Sequence, residues 1–325
     1  MTDRVVAVIG AGPCGLAAAV ALEQAVLPAI VFDRGCVASS IAGYPPYLNF
    51  FSTAEKISVG GLPFAVTTEK PTRRDALAYY RRVVTHFGLS VRQYETVDAV
   101  ALEGAGFVVR STPIGGAARE TRARAVVVAT GYFGTPNALG VPGEDLPHVT
   151  HEFREGHVAF QRSALVVGGG NSAVETALDL FHAGARVTMV HFGPTFDKNI
   201  KPWVLPEFEQ RVKAGEIAVR WNARVTGIEH GLVHLREPGG TRVEEAEHLF
   251  LMTGYTPHPG LLDSLGVTTD PVSGVPAHDP ATMETPTPGV FIAGVLASGF
   301  DANKIFIENG RDHGALIARA LASRG

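Results

Sequence analysis

The chain has 325 residues, of which 46% are hydrophobic, and a formal net charge of −4 at pH 7. This length suits one large domain or two ordinary ones, and the charge gives no electrostatic reason to expect nucleic acid or an anionic membrane as a partner. Two cysteines form neither a disulfide framework nor a metal site, and no apolar run approaches the ~18 residues of a membrane span. The first predicted strand begins so close to Met1 that no signal peptide fits before it, so we expect a cytoplasmic protein.

A glycine-rich turn stands near the start of the chain. Residues 5–9 predict a buried strand, residues 10–15 match G-x-G-x-x-G, and residues 16–24 predict an Ala- and Leu-rich helix. In such a turn one glycine makes the bend, one lets the backbone approach a pyrophosphate, and one packs the helix against the strand. A second predicted strand ends at Asp33, where such folds bind the adenosine ribose. The predicted dinucleotide site consists of Gly10, Gly12, Pro13, Cys14, Gly15 and Asp33.

The chain then becomes irregular before regular structure returns. Residues 36–71 are rich in Ser, Gly, Pro and aromatic residues, a composition typical of a segment that covers a ligand. Residues 72–87 predict an amphipathic helix with Leu77, Tyr80, Val84 and Phe87 on its apolar side. Residues 90–102, 106–111 and 119–128 predict a three-stranded meander that ends at Thr130 and Gly131.

The same order of elements begins again in the second half. Residues 163–167 predict a strand, residues 168–173 match G-x-G-x-x-A, and a helix, a strand at 186–190 and a second meander at 217–251 follow. This repetition predicts an α/β fold of two Rossmann-like modules, each with a parallel sheet and a meander. A strand at 289–295 and a helix at 301–322 are expected to complete the first module. Two dinucleotide sites imply electron transfer between a flavin and a nicotinamide.

The order of these motifs resembles the thioredoxin-reductase-like FAD/NAD(P)H oxidoreductases over nearly the whole chain. The resemblance implies an FAD-binding domain of residues 1–140 and 256–325 and an NAD(P)H-binding domain of residues 141–255. Thioredoxin reductases carry a C-x-x-C pair in the nicotinamide module, whereas this module contains no cysteine. Dithiol exchange of the thioredoxin type is therefore excluded.

Finer motifs resemble the bacillithiol disulfide reductases (the YpdA type). They are Cys14 in the first turn, Asn49 to Thr53, Gly61 to Phe64, Lys201 to Pro206 and Phe306 to Arg311. The resemblance implies that NADPH reduces FAD, that Cys14 exchanges with bacillithiol disulfide or a similar small disulfide, and that reduced flavin resolves the mixed disulfide. It also implies a homo-oligomer, either a dimer or a tetramer. The further cofactor-binding residues it implies are Thr130, Gly131, Gly168, Gly170, Asn171, Ser172, Ala173, His191, Lys198, Lys201, Gly294, Lys304 and Ile305.

Several alternatives remain open at this stage. Cys14 is either a reactive thiol or a compact apolar filler, because the helix dipole favours a thiolate by only about 0.3–1 kcal/mol. Cys36 is interpreted as structural. With Cys14 inert, the chain would be a reductase of ferredoxin, flavodoxin or a quinone, and a flavoprotein redox sensor is a third candidate. A flavin monooxygenase is disfavoured because no F-x-G-x-x-x-H segment is present between the modules.

Coenzyme choice and proton transfer depend on single residues. Because His191 and Phe192 stand where an NAD site would place an acid, NADPH is favoured over NADH. Lys198, Lys201 or Arg186 would have to hold the 2′-phosphate. The C-terminal helix, predicted to begin near Asn303 and Lys304, is expected to point its positive end at the flavin. Glu308, Asp312 and His313 are candidate proton carriers, with a structural hydrogen bond as the alternative for His313.

Overall fold

The computed structural model describes residues 5–132, 134–197, 200–256 and 260–324. The chain forms two compact units, which we call unit 1 (Met1–Thr135 with Thr256–Gly325) and unit 2 (Pro136–Tyr255). The division by contacts falls after residues 135 and 255, compared with 140 and 255 in the division from sequence. Each unit contains one parallel sheet and one antiparallel meander, which confirms the predicted α/β fold of two Rossmann-like modules.

In residues 5–132 and 134–135, the described part of its first segment, unit 1 carries seven strands and three helices. The strands are β1 (Val6–Ile9), β2 (Ala29–Phe32), β3 (Ser90–Arg92), β4 (Glu95–Glu103), β5 (Gly106–Pro113), β6 (Arg119–Ala123) and β7 (Ala125–Val128). The helices are α1 (Pro13–Gln24), α2 (Ser39–Ala42) and α3 (Arg73–His86), with a 3₁₀ turn at Glu55–Ile57. Apart from α2 and the 3₁₀ turn, the region 36–71 is largely irregular, as predicted.

Unit 2, as far as it is described (residues 136–197 and 200–255), carries eight strands and two helices. The strands are β8 (Val149–Thr150), β9 (Ser163–Val167), β10 (Arg186–Val190), β11 (Ile217–Arg220), β12 (Arg224–Glu229), β13 (Leu232–Glu237), β14 (Gly240–Glu245) and β15 (His248–Leu251). The helices are α4 (Asn171–His182) and α5 (Leu205–Lys213), with a 3₁₀ turn at Gly156–Ala159. The chain then returns to unit 1 with α6 (Gly260–Ser264), β16 (Val290–Ile292), a 3₁₀ segment at Gly294–Ser298, α7 (Ile307–Gly310) and α8 (His313–Ala322).

The two parallel sheets share one plan. Unit 1 has the strand order β16-β7-β1-β2-β3, and unit 2 has the order β11-β10-β9-β15-β8. β1 and β7 are buried at every position, as strands covered on both faces must be. In each sheet the strand before the glycine turn lies between its two partners. The chain therefore reverses its direction of winding beside that turn, and in open α/β sheets ligands bind at such a point.

The predicted meanders are partly wrong at their ends. The first predicted segment divides into β3, which pairs in parallel with β2, and β4, which pairs with β5. Tyr94 separates them with a positive φ of 54°, and its N–H donates to the carbonyl of Gly35, so the strand cannot continue straight. The segments 119–128 and 217–251 likewise give strands to both sheets of their unit.

Helix α3 confirms the predicted helix and its apolar side. Thr72 and Asp75 cap its first turn reciprocally, since Oδ2 of Asp75 accepts from the Thr72 N–H at 2.9 Å and the Thr72 hydroxyl accepts from the Asp75 N–H at 3.2 Å. Tyr80 is fully buried, Leu77, Val84 and Phe87 pack partly buried against the core of unit 1, and Ala76, Tyr79 and Val83 are buried beside them. The predicted apolar side therefore does face the core, and the buried face is wider than predicted.

The C-terminal helix predicted from residues 301 to 322 is wrong at its start. Residues 301–306 are irregular, and the helical structure consists of the short α7 and the longer α8. The side-chain oxygen of Asn309 accepts from the Phe306 N–H at 2.8 Å, and its amide donates to the Lys304 carbonyl at 2.9 Å. This cap starts the helix at Ile307, three residues after Lys304.

Candidate functional site

The glycine turn of unit 1 has the geometry of an anion cradle. A Cβ at Gly10, where φ is +113°, would lie 2.3 Å from the carbonyl oxygen of Ala129, and a Cβ at Gly15 would lie 1.9 Å from that of Gly10. A Cβ at Gly12 would meet nothing within 4 Å. Gly10 and Gly15 therefore permit close packing, whereas the space in front of Gly12 is open to a phosphate, as the pattern predicts.

The start of α1 leaves its N–H groups for a ligand. Its N-cap is Gly12, with no side-chain cap, Pro13 follows in the first position, and the first turn holds no acid. A helix start of this kind offers free donors and the positive end of the helix dipole. The predicted Pro13, Cys14 and Gly15 all lie in this first turn.

Asp33 follows β2 and supports the turn from its side. Its Oδ2 accepts from the N–H of Ala11 at 2.7 Å, and its Oδ1 accepts from the N–H of Gly35 at 2.7 Å and the hydroxyl of Ser39 at 3.3 Å. Asp33 therefore positions the backbone of the turn itself. This structural contact was not part of the sequence interpretation, which assigned Asp33 to the ribose alone.

The other predicted residues of unit 1 meet the turn at one sheet edge. Ile9 pairs with Val128, and Val128 pairs with Ile292, so the ends of β1, β7 and β16 coincide. Thr130 and Gly131 follow β7, and Gly294 follows β16. The structure therefore brings together Gly10 to Gly15, Thr130, Gly131 and Gly294 at the carboxyl edge of the sheet, where ligands bind in this class of fold.

The Cys14 sulfur lies against two glycines from the C-terminal segment. A Cβ at Gly294 would lie 3.1 Å from Sγ of Cys14, and a Cβ at Gly310 would lie 2.9 Å from it. Burial raises the pKa of the Cys14 thiol to about 12, and the nearby carboxylate of Asp312 adds to the increase. The thiol is therefore protonated at neutral pH in this environment.

Two polar side chains of the C-terminal segment, His313 and Glu308, have hydrogen-bond partners in unit 1. The N–H of Gly294 donates to Nδ1 of His313 at 3.2 Å, and burial lowers the pKa of His313, with His278 contributing. His313 therefore makes the structural hydrogen bond considered above. The hydroxyl of Ser52, in the irregular segment, is hydrogen bonded to Oε1 of Glu308.

Lys304 and Ile305 do not begin a helix. Lys304 is exposed, with Nζ 3.7 Å from the carboxylate of Asp301, and Ile305 packs against the core of unit 1. The expected positive helix end near residues 303 and 304 is therefore absent from this position, because the helix begins at Ile307.

The glycine turn of unit 2 repeats the first with one difference. A Cβ at Gly168, where φ is +148°, would lie 2.4 Å from the Met252 carbonyl oxygen, and α4 begins after Gly170 without a side-chain cap or a first-turn acid. Ala173 is buried and Ser172 exposed in that first turn. A Cβ at Gly170 would lie 3.2 Å from a carboxylate oxygen of Asp197, so an anionic group already stands near this helix start.

The residues predicted to hold the nicotinamide coenzyme differ in their placement. His191 is 3% exposed, and its ring packs against Gly169, where a Cβ would lie 2.2 Å from Cε1. Oδ1 of Asn171 accepts from the N–H of Lys201 at 2.8 Å, which fixes the segment around Lys201 at the start of α4. Lys198 lies outside the described residues. Arg186 begins β10, at the edge opposite the glycine turn, and donates to the Gln161 carbonyl, so it is excluded as a coenzyme ligand.

Two residues near this site were missed from the sequence. Glu175 lies on α4 beyond Ala173, and burial raises its pKa while Lys201 opposes that increase. The guanidinium of Arg224 lies over the ring of Phe192, 4.9 Å from its centroid. Glu175 lies two residues after the G-x-G-x-x-A pattern, so its place near the site could have been predicted from the sequence. No local pattern connects residues 192 and 224.

Membrane and metal features are missing from the part of the chain that the structure describes. None of the helices there combines the length and apolar character needed to cross a bilayer. Among the same residues, no three His, Cys, Asp or Glu side chains are placed to hold a metal ion together.

Comparison with known proteins gives matches over nearly the whole chain. Residues 7–294 match the family model described as pyridine nucleotide-disulphide oxidoreductase. The bacilliredoxin reductase Bdr of Bacillus subtilis (strain 168) is 42% identical over 320 residues, which cover 98% of this chain and 97% of the relative. The structure of bacillithiol disulfide reductase Bdr (YpdA) from Bacillus cereus is similar with a TM-score of 0.97 and 42% identity, covering 99% of both chains. The corresponding structure from Staphylococcus aureus has a TM-score of 0.94 and 38% identity, covering 100% of this chain and 99% of the other.

Proposed function

The chain belongs to the pyridine nucleotide-disulphide oxidoreductase family and is a flavin-dependent disulfide reductase, and from that premise we propose that it uses FAD and NADPH to reduce bacillithiol disulfide. The observation that carries this proposal is the position of Cys14. Its sulfur lies at the carboxyl edge of a Rossmann-type sheet, in the first turn of the helix whose start is open to a pyrophosphate. The relatives named for bacillithiol disulfide reduction are similar along the same residues.

The residues of unit 1 fit FAD. The open space at Gly12, the uncapped start of α1 and the Ala11 backbone held by Asp33 would receive the pyrophosphate. Thr130, Gly131 and Gly294 lie at the same edge. When bound, FAD would take two electrons from the nicotinamide coenzyme, and these electrons would release the second thiol from the mixed disulfide formed on Cys14.

The residues of unit 2 fit a nicotinamide dinucleotide at Gly168, Gly170, Asn171, Ser172 and Ala173. His191 and Phe192, and not an acid, occupy the positions directly after β10 where an NAD site places an acid. This favours NADPH. The carboxylate of Asp197 near Gly170 would have to move away when the coenzyme pyrophosphate binds, since two anions compete for one helix start.

Cys14 would carry the exchange with the substrate. Its sulfur attacks one sulfur of the disulfide, the substrate S–S bond breaks, and one thiol leaves with a proton while the other remains linked to Cys14. Because the pKa of the thiol is about 12, the proton must leave Cys14 as attack begins.

The test is anaerobic NADPH oxidation with bacillithiol disulfide, comparing the natural protein, Cys14→Ala and Cys36→Ala at matched flavin content. We expect turnover by the natural protein and Cys36→Ala, while Cys14→Ala reduces its flavin normally but passes no electrons to the disulfide. If no protein consumes the disulfide although all reduce flavin, the substrate assignment is wrong. Turnover by Cys14→Ala would leave the substrate correct and the role of Cys14 wrong.

The same assay separates the remaining candidates. The Bacillus subtilis relative is named for bacilliredoxin, so a bacilliredoxin mixed disulfide is the second substrate to supply. The higher identity to the Bdr relatives disfavours the ferredoxin, flavodoxin and quinone reductases and the redox sensor. We further propose that the protein is cytoplasmic and forms a homo-oligomer, either a dimer or a tetramer. Sedimentation of the flavin-loaded protein would establish the oligomeric state.

A further inference from the structure

The end of β10 is where the coenzyme's adenosine ribose is expected in unit 2. β10 pairs in parallel with β9, and Val190 stands opposite Val167, the last residue before the glycine turn. The residues that follow β10 therefore lie one strand away from the turn, at the carboxyl edge of the sheet. Phe192 is in this segment and is 62% exposed, which is unusual for a phenylalanine and leaves its ring available to a ligand.

Backbone hydrogen bonds bring the start of the meander to the same place. The N–H of Ala223 donates to the His191 carbonyl and that of Asn222 to the Gly193 carbonyl, each at 3.0 Å. Arg224 follows immediately, and its guanidinium lies over the Phe192 ring, 4.9 Å from the centroid. Stacking on an aromatic ring orients the planar guanidinium and leaves its edges free for a bidentate anion.

Two arginines of the meander differ from the neighbouring arginines Arg220 and Arg242, which are paired with acids. Arg220 is held by Glu244 at 2.7 Å, and Arg242 by Glu237 at 3.1 Å. Arg224 stands directly opposite Arg236 in the β12–β13 ladder, and both are exposed. Within residues 136–197 and 200–255, which the structure describes in unit 2, neither has an ion pair with an acid. Like charges directly opposed on a sheet repel each other, and an anion between them would remove that cost.

We propose that Arg224, assisted by Arg236, binds the 2′-phosphate of NADPH over the ring of Phe192 and so sets the preference for NADPH over NADH. A phosphate dianion matches two guanidinium groups in charge and in geometry. The charged residues that bind the 2′-phosphate then belong to the meander and not to the loop that follows β10. This inference rests on the proposed use of NADPH.

The test is isothermal titration of the oxidised, FAD-loaded protein with NADP⁺ and, separately, with NAD⁺. The variants are Arg224→Ala, Arg224→Lys and Arg236→Ala. The control is Lys213→Ala, which removes one exposed positive charge at the end of α5, next to the opposite edge of the same sheet. We expect Arg224→Ala to weaken NADP⁺ binding by about tenfold or more and to leave NAD⁺ binding within about twofold. Arg224→Lys should restore part of the loss, and Arg236→Ala should weaken NADP⁺ binding less than Arg224→Ala does.

The possible outcomes distinguish a failure of this inference from a failure of the proposed use of NADPH. If the natural protein prefers NADP⁺ and Arg224→Ala keeps the full preference, the inference is wrong and the use of NADPH stands. An equal loss for both coenzymes in Arg224→Ala would mean that the residue supports the fold of the site, which also overturns the inference. If the natural protein binds NAD⁺ as tightly as NADP⁺, the proposed NADPH preference fails first and the inference fails with it.

Discussion

Gly310 lies so close to the sulfur of Cys14 that a methyl group on Gly310 would come within 2.9 Å of Sγ. The two residues are almost 300 positions apart and meet only because the C-terminal segment returns to unit 1. The contact is with a glycine at the end of α7, and a methyl group there would also meet the Ile305 side chain at 3.1 Å and the Gly294 backbone at 3.2 Å. The position of Cys14 is therefore sensitive to substitutions that never touch a substrate.

Replacing Gly310 by alanine should impair disulfide reduction selectively. The added methyl would also meet Ile305 and Gly294, so we expect the sulfur to move and the rate of disulfide turnover to fall by about 10-fold to 100-fold. NADPH-dependent flavin reduction should be unchanged in stopped-flow measurements. Gly239→Ala is the matched control, because a Cβ there would meet nothing within 4 Å. Normal turnover by Gly310→Ala would show that the sulfur position is not critical.

Replacing Asp33 by alanine should loosen the first glycine turn. It removes the acceptors of the Ala11 and Gly35 N–H groups, a loss of about 1–3 kcal/mol in the free energy of unfolding. We also expect purified Asp33→Ala to retain less FAD than the natural protein. Thermal unfolding and the ratio of flavin to protein absorbance measure the two effects. Asp145→Ala, at an exposed site, is the control, and equal flavin content in both variants would contradict the assignment.

Cys14 should react slowly with alkylating reagents at neutral pH. Because burial raises the pKa of its thiol to about 12, the thiolate fraction is small at pH 7 and rises about tenfold for each pH unit up to the pKa. Mass spectrometry of the Cys14 peptide after timed iodoacetamide treatment at pH 7 and pH 9 measures this. The Cys36 peptide is the internal reference. Fast labelling of Cys14 at pH 7 would show that a group bound beside it stabilises the thiolate.

Unit 2 should lose stability in mild acid because of His148. Burial lowers the pKa of this histidine, and His230 and His248 lower it further. A histidine with a lower pKa in the folded state than in the unfolded state binds more protons when unfolded. Its contribution to stability is therefore full above its unfolded pKa of about 6.5 and is lost as the pH falls below that value.

The two tryptophans of the chain, Trp203 and Trp221, lie in unit 2, so their fluorescence follows its unfolding. We expect the urea midpoint of the natural protein to fall between pH 7.5 and pH 5.5 and to fall less in His148→Gln. His157→Gln, at an exposed histidine, should behave like the natural protein. Parallel pH profiles for the natural protein and His148→Gln would rule out His148 as the source.

Sequence patterns predicted what depends on neighbours in the chain. The glycine turns at Gly10 and Gly168 need a strand before, a helix after and no Cβ at the bend, and all three are local features. The break between α7 and α8 was missed because it depends on tertiary contacts. The N–H of Gly294 donates a hydrogen bond to His313, and Gly314 packs closely against the backbone of Ala18 on α1. A composition that favours helix cannot show where such contacts interrupt it.

The site was predictable to a similar extent. The turn residues and Cys14 carry a recognisable spacing, so their positions followed from sequence. The guanidinium of Arg224 and the ring of Phe192 are 32 positions apart and come together through backbone hydrogen bonds between two loops. Arg186 was a reasonable candidate by charge alone, and only the direction of β10 shows that it stands at the opposite edge.

The return of the chain to unit 1 has a consequence for synthesis on the ribosome. β7 emerges with one side unpaired, and its partner β16 is translated only after all of unit 2. Unit 2 is continuous and has every strand of its sheet by Leu251, so it can fold first. Until then the nascent first unit exposes a strand edge and lacks both glycines that enclose the Cys14 sulfur. A release of the chain before residue 292 would leave an aggregation-prone fragment, so the enzyme's yield should depend on how steadily its last third is translated.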